Sequence, residues 1–156
     1  MKIFKVVTAF LFFLTFKAVA GEIEGNPTIT DGDTIKIINK RIRLHGIDAP
    51  ENGQLCKKNS KEYSCGKIAT DALEKKINRN HVRCIVQDRL DRYKRYIGVC
   101  FVGSINLNRW MVRNGHAVAY LRYSKDYIRD ENYAKKNKLG IWSSDFINPE
   151  KWRKLN

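Results

Sequence analysis

Apolar and polar residues alternate from about Thr28 to Ile47, first in TITDGDTIKII and then in RIRLHGI, with a turn expected at Asn39-Lys40. A period of two sends successive side chains to opposite faces, so this stretch predicts strands rather than a helix. In RIRLHGI, Ile42 and Leu44 take one face while Arg41, Arg43 and His45 take the outward one. Further on the pattern changes. KIATDALEKKIN, residues 67–78, reads as a helix, and VRCIVQ and YIGVCFV, about 82–102, read as a hairpin around DRYK. INLNRWMVRNG (105–115) and YIRDENYAKKNKLG (127–140) read as helices, each with a glycine at its end as a C-cap candidate. Strands first and helices afterwards predict an α+β domain, most economically a five-stranded barrel with about three flanking helices.

The first twenty residues stand outside that pattern. MKIFK is a short positive head, VVTAFLFFLTF is an apolar stretch of eleven, and AVA precedes Gly21 in small-x-small form. Residues 1–20 therefore read as a secretory signal, and 21–156 as one exported domain, secreted or periplasmic. A membrane anchor fits less well, because a span needs about 20 apolar residues and Lys17 interrupts this one. Residues 1–20 hold Lys2, Lys5 and Lys17 and no acid, so thirty basic residues fall to 27 against 16 acidic ones, a charge of +11. Such a surface suits a polyanion: nucleic acid, an anionic membrane or an acidic polysaccharide.

Four cysteines in an exported chain argue for two disulfides. Three pairings are open; the hairpin sets Cys84 opposite Cys100, which leaves Cys56 and Cys65 to close CKKNSKEYSC. With no Cys-x-x-Cys pair, a zinc site is the weaker reading.

Against this basic background the acids at RLHGIDAPE stand out. Asp48 follows the end of a strand, Pro50 stiffens the loop that carries Glu51, and Asp31-Gly32-Asp33 opens the preceding strand pair. Oxygen donors without nearby His or Cys suit a hard cation such as Ca²⁺ or Mg²⁺. A metal, a carboxylate base and arginine together are equipment for attacking a phosphodiester. The motifs DGDTIKI, IRLHGIDAPE, DRYKR, NGHAVAY and LGIWS, in that order and spacing, resemble the staphylococcal nuclease (thermonuclease) family from about residue 28 to 144.

That resemblance implies an OB-fold barrel and Ca²⁺-dependent cleavage of DNA and RNA to 3′-phosphate products. By position, Asp33, Asp48 and the backbone carbonyl of Ala49 would hold the metal. Glu51 would be the general base, Arg43 and Arg95 would clamp phosphate oxygens, and Tyr93 and Tyr120 would contact the substrate phosphate. The family often has threonine where Ala49 stands and glycine where Lys94 stands. The second change would either tighten substrate binding or shift the turn that aims Arg95. None of the histidines (His45, His81, His116) is needed for catalysis, and Trp110, Trp142 and Trp152 read as packing residues. A monomer is the default. Two other classes compete: a catalytically silent nucleic-acid-binding barrel, against which all three of Glu51, Arg43 and Arg95 stand, and a basic protein for membranes or polysaccharide, which lacks its long amphipathic basic helix.

Overall fold

The computed structural model describes residues 21–156, and the expected signal segment lies outside the described residues. The chain runs through β1 (Gly21–Gly25), β2 (Pro27–Asp31), β3 (Thr34–Ile37), β4 (Lys40–Leu44), β5 (Ile47–Asp48), β6 (Cys56–Lys58), β7 (Lys61–Tyr63) and α1 (Cys65–Ile77). It continues through β8 (Val82–Leu90), β9 (Tyr96–Val102), β10 (Ile105–Asn106), α2 (Leu107–Arg113), β11 (Val118–Ala119), α3 (Ile128–Lys136) and α4 (Pro149–Leu155).

The main sheet has the order β1-β8-β9-β4-β3-β2, with β10 added on β9. Only β4 and β9 run parallel among its pairs. β1 and β2 lie at opposite ends of this order, yet Asn26 alone separates them in the chain. The sheet therefore curls until its ends meet, and the bent β1–β2 segment acts as one strand. With β3, β4, β8 and β9 it makes the five expected strands of an OB-type barrel.

Alternation accounts for the barrel's filling. Ile35 and Ile37 of β3 and Ile42 and Leu44 of β4 are fully buried, while Lys36 and Arg41 between them face out. The turn falls one residue earlier than the expected Asn39-Lys40. Ile37 pairs with Lys40, so Ile38 and Asn39 form the two-residue loop, with Ile38 at φ +55° and 78 % exposed. Keeping Ile37 in the core turns Ile38 outward.

Helix α1 lays Ala69, Leu73 and Ile77 on the barrel, an i, i+4, i+8 stripe, and Lys75 and Lys76 meet the negative end of its dipole. Leu107, Met111 and Val112 of α2 join the same core. The two later helices are shorter than expected, Leu107–Arg113 and Ile128–Lys136, because residues 105–106 pair with β9 and α3 ends at Lys136. Gly115 and Gly140 both take positive φ. They also touch each other: a Cβ on either would lie 2.1 Å from a backbone oxygen at the other site. Among the described residues α4 is a fourth α-helix, beyond the three expected.

All four cysteines are paired, Cys84 with Cys100 across the β8–β9 hairpin and Cys56 with Cys65 across the 56–65 loop. The second bridge anchors a small cluster of Val118 and Ile141 with Tyr63, Trp142 and Phe146. Trp110 and Trp142 both pack, as expected.

Candidate active site

Asp33 reaches the site through turn chemistry. Its backbone N–H donates to Asp31 Oδ1 at 3.0 Å, and its carbonyl accepts from Leu44 N–H at 2.8 Å, tying the β2–β3 turn to β4. Thr34 then pairs with Arg43 in register, so the strand after the turn carries an arginine directly beside it. Asp48 comes from the other side, on β5, where its backbone pairs with Val118 of β11. Both carboxylates are buried, and the Arg43 guanidinium lies between them. One nitrogen bonds Asp33 Oδ1 and the other Asp48 Oδ1 at 2.7 Å. Arg43 does leave β4 on the face away from Ile42 and Leu44, but the acids cover it and its side chain is only 13 % exposed.

Burial pushes the Asp33 carboxyl up to about 6, with Arg43 pulling the other way and Asp31 adding to the rise. Burial also raises Asp48, against the hydrogen bonds of Arg153 and the charge of Arg43. Two buried acids that resist ionisation, with oxygen donors only, fit a hard divalent cation that would offset their desolvation. Among the described residues no group of three or more His, Cys, Asp or Glu side chains gathers for a metal. The expected ligand set needs only two such side chains, Asp33 and Asp48, with the Ala49 carbonyl as a third oxygen. Ala49 itself is buried, and its N–H donates to Asp33 Oδ2 at 2.8 Å. Its methyl faces Gly32, where an added Cβ would come within 2.7 Å of it, so the small residue suits this packing.

Glu51 sits on a pinned loop. Its N–H donates to Gln54 Oε1 at 3.3 Å and its carbonyl accepts from Gln54 N–H at 2.7 Å, while buried Gln54 also holds the Ile147 carbonyl at 2.6 Å. Asn52 Nδ2 donates to the Thr30 carbonyl, and Thr70 Oγ1 donates to Asn52 Oδ1. Gly66 lets α1 approach, since a Cβ there would lie 1.6 Å from the Glu51 carbonyl oxygen. The carboxylate is aimed by this frame and left 30 % exposed.

Arg95 comes from the turn after β8. Asp91 accepts from its N–H and from Nε, both at 2.9 Å, and Nη1 donates to Thr34 Oγ1 at 3.4 Å, which in turn donates to Asp33 Oδ1 at 3.1 Å. Burial opposes ionisation of Asp91, but these bonds and the Tyr93 N–H outweigh it and hold its pKa below the usual range. Tyr93 is exposed, with its ring 5.2 Å from the Arg95 guanidinium carbon. Tyr120, whose N–H donates to the Gly46 carbonyl at 2.9 Å, has its phenol pKa raised by burial and then by the charge of Asp48.

Lys94 takes φ +59°, the left-handed conformation in which glycine is at ease, within a turn where Arg95 is bonded to Asp91. Lys94→Gly should therefore raise stability by about 1 kcal/mol, read from the urea midpoint, with Arg95 still bonded to Asp91. His116, beside Trp110, has its pKa lowered by burial.

One residue was not foreseen. Arg153 of α4 bonds Asp48 Oδ1 at 2.9 Å, Asp48 Oδ2 at 3.0 Å and Glu51 Oε1 at 2.7 Å. Burial opposes its charge, but those bonds outweigh it and raise its pKa. It lies 105 positions from Asp48, and no local pattern points to such a contact.

Residues 41–144 match the family model described as Staphylococcal nuclease homologue. The chain is 37 % identical over 134 residues to the Succinoglycan biosynthesis protein ExoI of Rhizobium meliloti (strain 1021), covering 83 % of this chain and 70 % of that one. It is 32 % identical over 158 residues to an uncharacterized endonuclease of Escherichia coli O157:H7, covering 96 % and 97 % of the two chains. A micrococcal nuclease of Shigella flexneri is 33 % identical over 146 residues, covering 82 % and 78 %. The curled barrel, the arginine between two buried aspartates and this match over most of the described residues agree: the chain belongs to the staphylococcal nuclease family and is a phosphodiester-hydrolysing nuclease.

Proposed function

We propose that this nuclease is exported and cleaves DNA and RNA in a Ca²⁺-dependent reaction in which Glu51 activates water and Arg43 and Arg95 bind the phosphate under attack. One observation carries the reading: a single nitrogen of Arg153 touches Asp48 and Glu51, at 2.9 and 2.7 Å, so the proposed base lies beside the proposed metal ligand. Asp33, Asp48 and the Ala49 carbonyl would hold the cation. When bound, it supplies a Lewis acid that draws negative charge from the phosphate oxygens.

Glu51 takes a proton from water as the water oxygen bonds to phosphorus. The P–O5′ bond breaks, the 5′-oxygen leaves and is protonated, and the phosphate stays on the 3′ side. Charge on the equatorial oxygens grows in the five-coordinate transition state. Planar guanidiniums meet such charge with paired donors; in this reading Arg43, opposite Thr34 in register, and Arg95, which donates to Thr34 Oγ1, turn their donors to the phosphate, and their shared neighbour Thr34 supports it. Tyr93 and Tyr120 flank the phosphate, and the basic surface collects the polyanion. Export is supported by two disulfides, and no helix among the described residues is long and apolar enough to cross a membrane. The domain acts as a monomer.

The deciding experiment is release of acid-soluble nucleotides from denatured DNA and from RNA, with Ca²⁺ or with a chelator, followed by end-group analysis. The expected result is hydrolysis with Ca²⁺, loss of at least about a hundredfold with chelator, and 3′-phosphate ends. Equal cleavage in chelator, or salt-sensitive binding without cleavage under any divalent metal, overturns the proposal.

A further inference from the structure

Helix α4 carries a positive charge onto the carboxylates of the site. Arg153 donates from Nη1 to Asp48 Oδ1 and Glu51 Oε1, and from Nη2 to Asp48 Oδ2. Asp48 Oδ1 accepts from Arg43 Nη2 as well, so both of its lone pairs are engaged. A cation drawing an oxygen from Asp48 has to share it with, or take it from, a guanidinium. Two cations on one carboxylate repel, so each weakens the other's hold. Glu51 Oε1 is held by the same guanidinium, at 2.7 Å from Nη1.

The element that delivers Arg153 is lightly held. Among the seven residues of α4 only Pro149 is buried. Asn148 caps the helix by accepting from Glu150 N–H, Trp152 is half-buried, and half-buried Glu150 meets the exposed Arg122 at 3.4 Å. A helix of two turns has little stability of its own, and one that buries so little apolar surface opens locally at small cost. The strongest bonds tying its far end to the barrel are those of Arg153.

We propose that α4 is a latch: Arg153 closes the active site by occupying Asp48 and Glu51, and binding of a divalent cation at Asp33 and Asp48 exchanges Arg153 out and frees the helix. The proposal rests on the metal site assigned above. It makes the chain its own inhibitor at low cation concentration, with apparent cation affinity reduced by the fraction of molecules latched.

The test reads binding and helix protection rather than activity. Ca²⁺ alone is titrated by calorimetry into the purified protein and into Arg153→Gln, and hydrogen exchange of the 149–155 amides is followed in the wild type with and without saturating Ca²⁺. The expected result is Ca²⁺ affinity at least about tenfold tighter in Arg153→Gln, together with faster exchange across α4 when Ca²⁺ is added to the wild type. Affinity equal to or weaker than wild type, or α4 amides equally protected with and without Ca²⁺, overturns the latch and leaves the metal site standing. Absence of Ca²⁺ binding to either protein overturns both.

Discussion

Glu51→Gln lowers phosphodiester hydrolysis by about 10²- to 10⁴-fold, the range that a positioned general base supplies, and leaves the fold intact. The two halves of this expectation come from different features. Gln keeps the size of the side chain and can still accept from Arg153, but its amide oxygen has almost no affinity for a proton in water. The frame that aims residue 51 is made by backbone groups and by Gln54, Asn52 and Gly66, none of which the substitution touches. Thermal stability should therefore hold while kcat falls, and KM should change little because the lost interaction belongs to the transition state. Full activity in Glu51→Gln would remove Glu51 from the chemistry. A parallel collapse of kcat and of the melting transition would make it a structural residue.

The barrel was legible because burial on one face imposes a period of two. Ile35, Ile37, Ile42 and Leu44 announce β3 and β4 by spacing alone. Symmetry about DRYK likewise identified the β8–β9 hairpin, and with it Cys84 facing Cys100. β1 was silent, because GEIEG offers one inward apolar residue, Ile23, and two glycines; its strand is made by pairing with β8, a partner 61 positions away. α4 had start signals in Asn148 and Pro149 but too short an apolar pattern to be read.

The site divides in the same way. Asp33, Arg43 and Asp48 lie on neighbouring strand ends, and sequence motifs placed them together. What the strand pattern missed is how far the Arg43 guanidinium leaves solvent, since an outward face says nothing of what later covers it. Arg153 was beyond reach altogether. Its contact depends on the path of residues 137–148, which no periodicity fixes.

Arg43→Gln should cost both stability and rate, and the two losses separate by pH and by rescue. Without its guanidinium, Asp33 keeps only the Thr34 hydroxyl and the Ala49 N–H, while Asp48 keeps Arg153. Leaving a buried carboxylate without its counter-charge costs roughly 3 kcal/mol or more, limited by protonation of the acid. Asp33 already titrates near 6, above its ordinary 3.8, and loss of Arg43 moves it higher. An acid whose folded pKa is raised binds a proton more tightly in the native state, so stability declines as pH rises from about 3.8 through the folded value. The variant should therefore be closest to wild type near pH 5 and furthest from it above neutrality, in urea melts without added metal. Hydrolysis should fall by about 10²- to 10³-fold, the usual loss when one transition-state donor is removed. Arg43→Lys distinguishes the two roles. A lysine returns one positive charge beside Asp33 and Asp48 but not a planar pair of donors for the phosphate oxygens, so stability should recover more than rate. Equal recovery of both would mean that charge alone is needed at this position, and the paired-donor role assigned to Arg43 would fall.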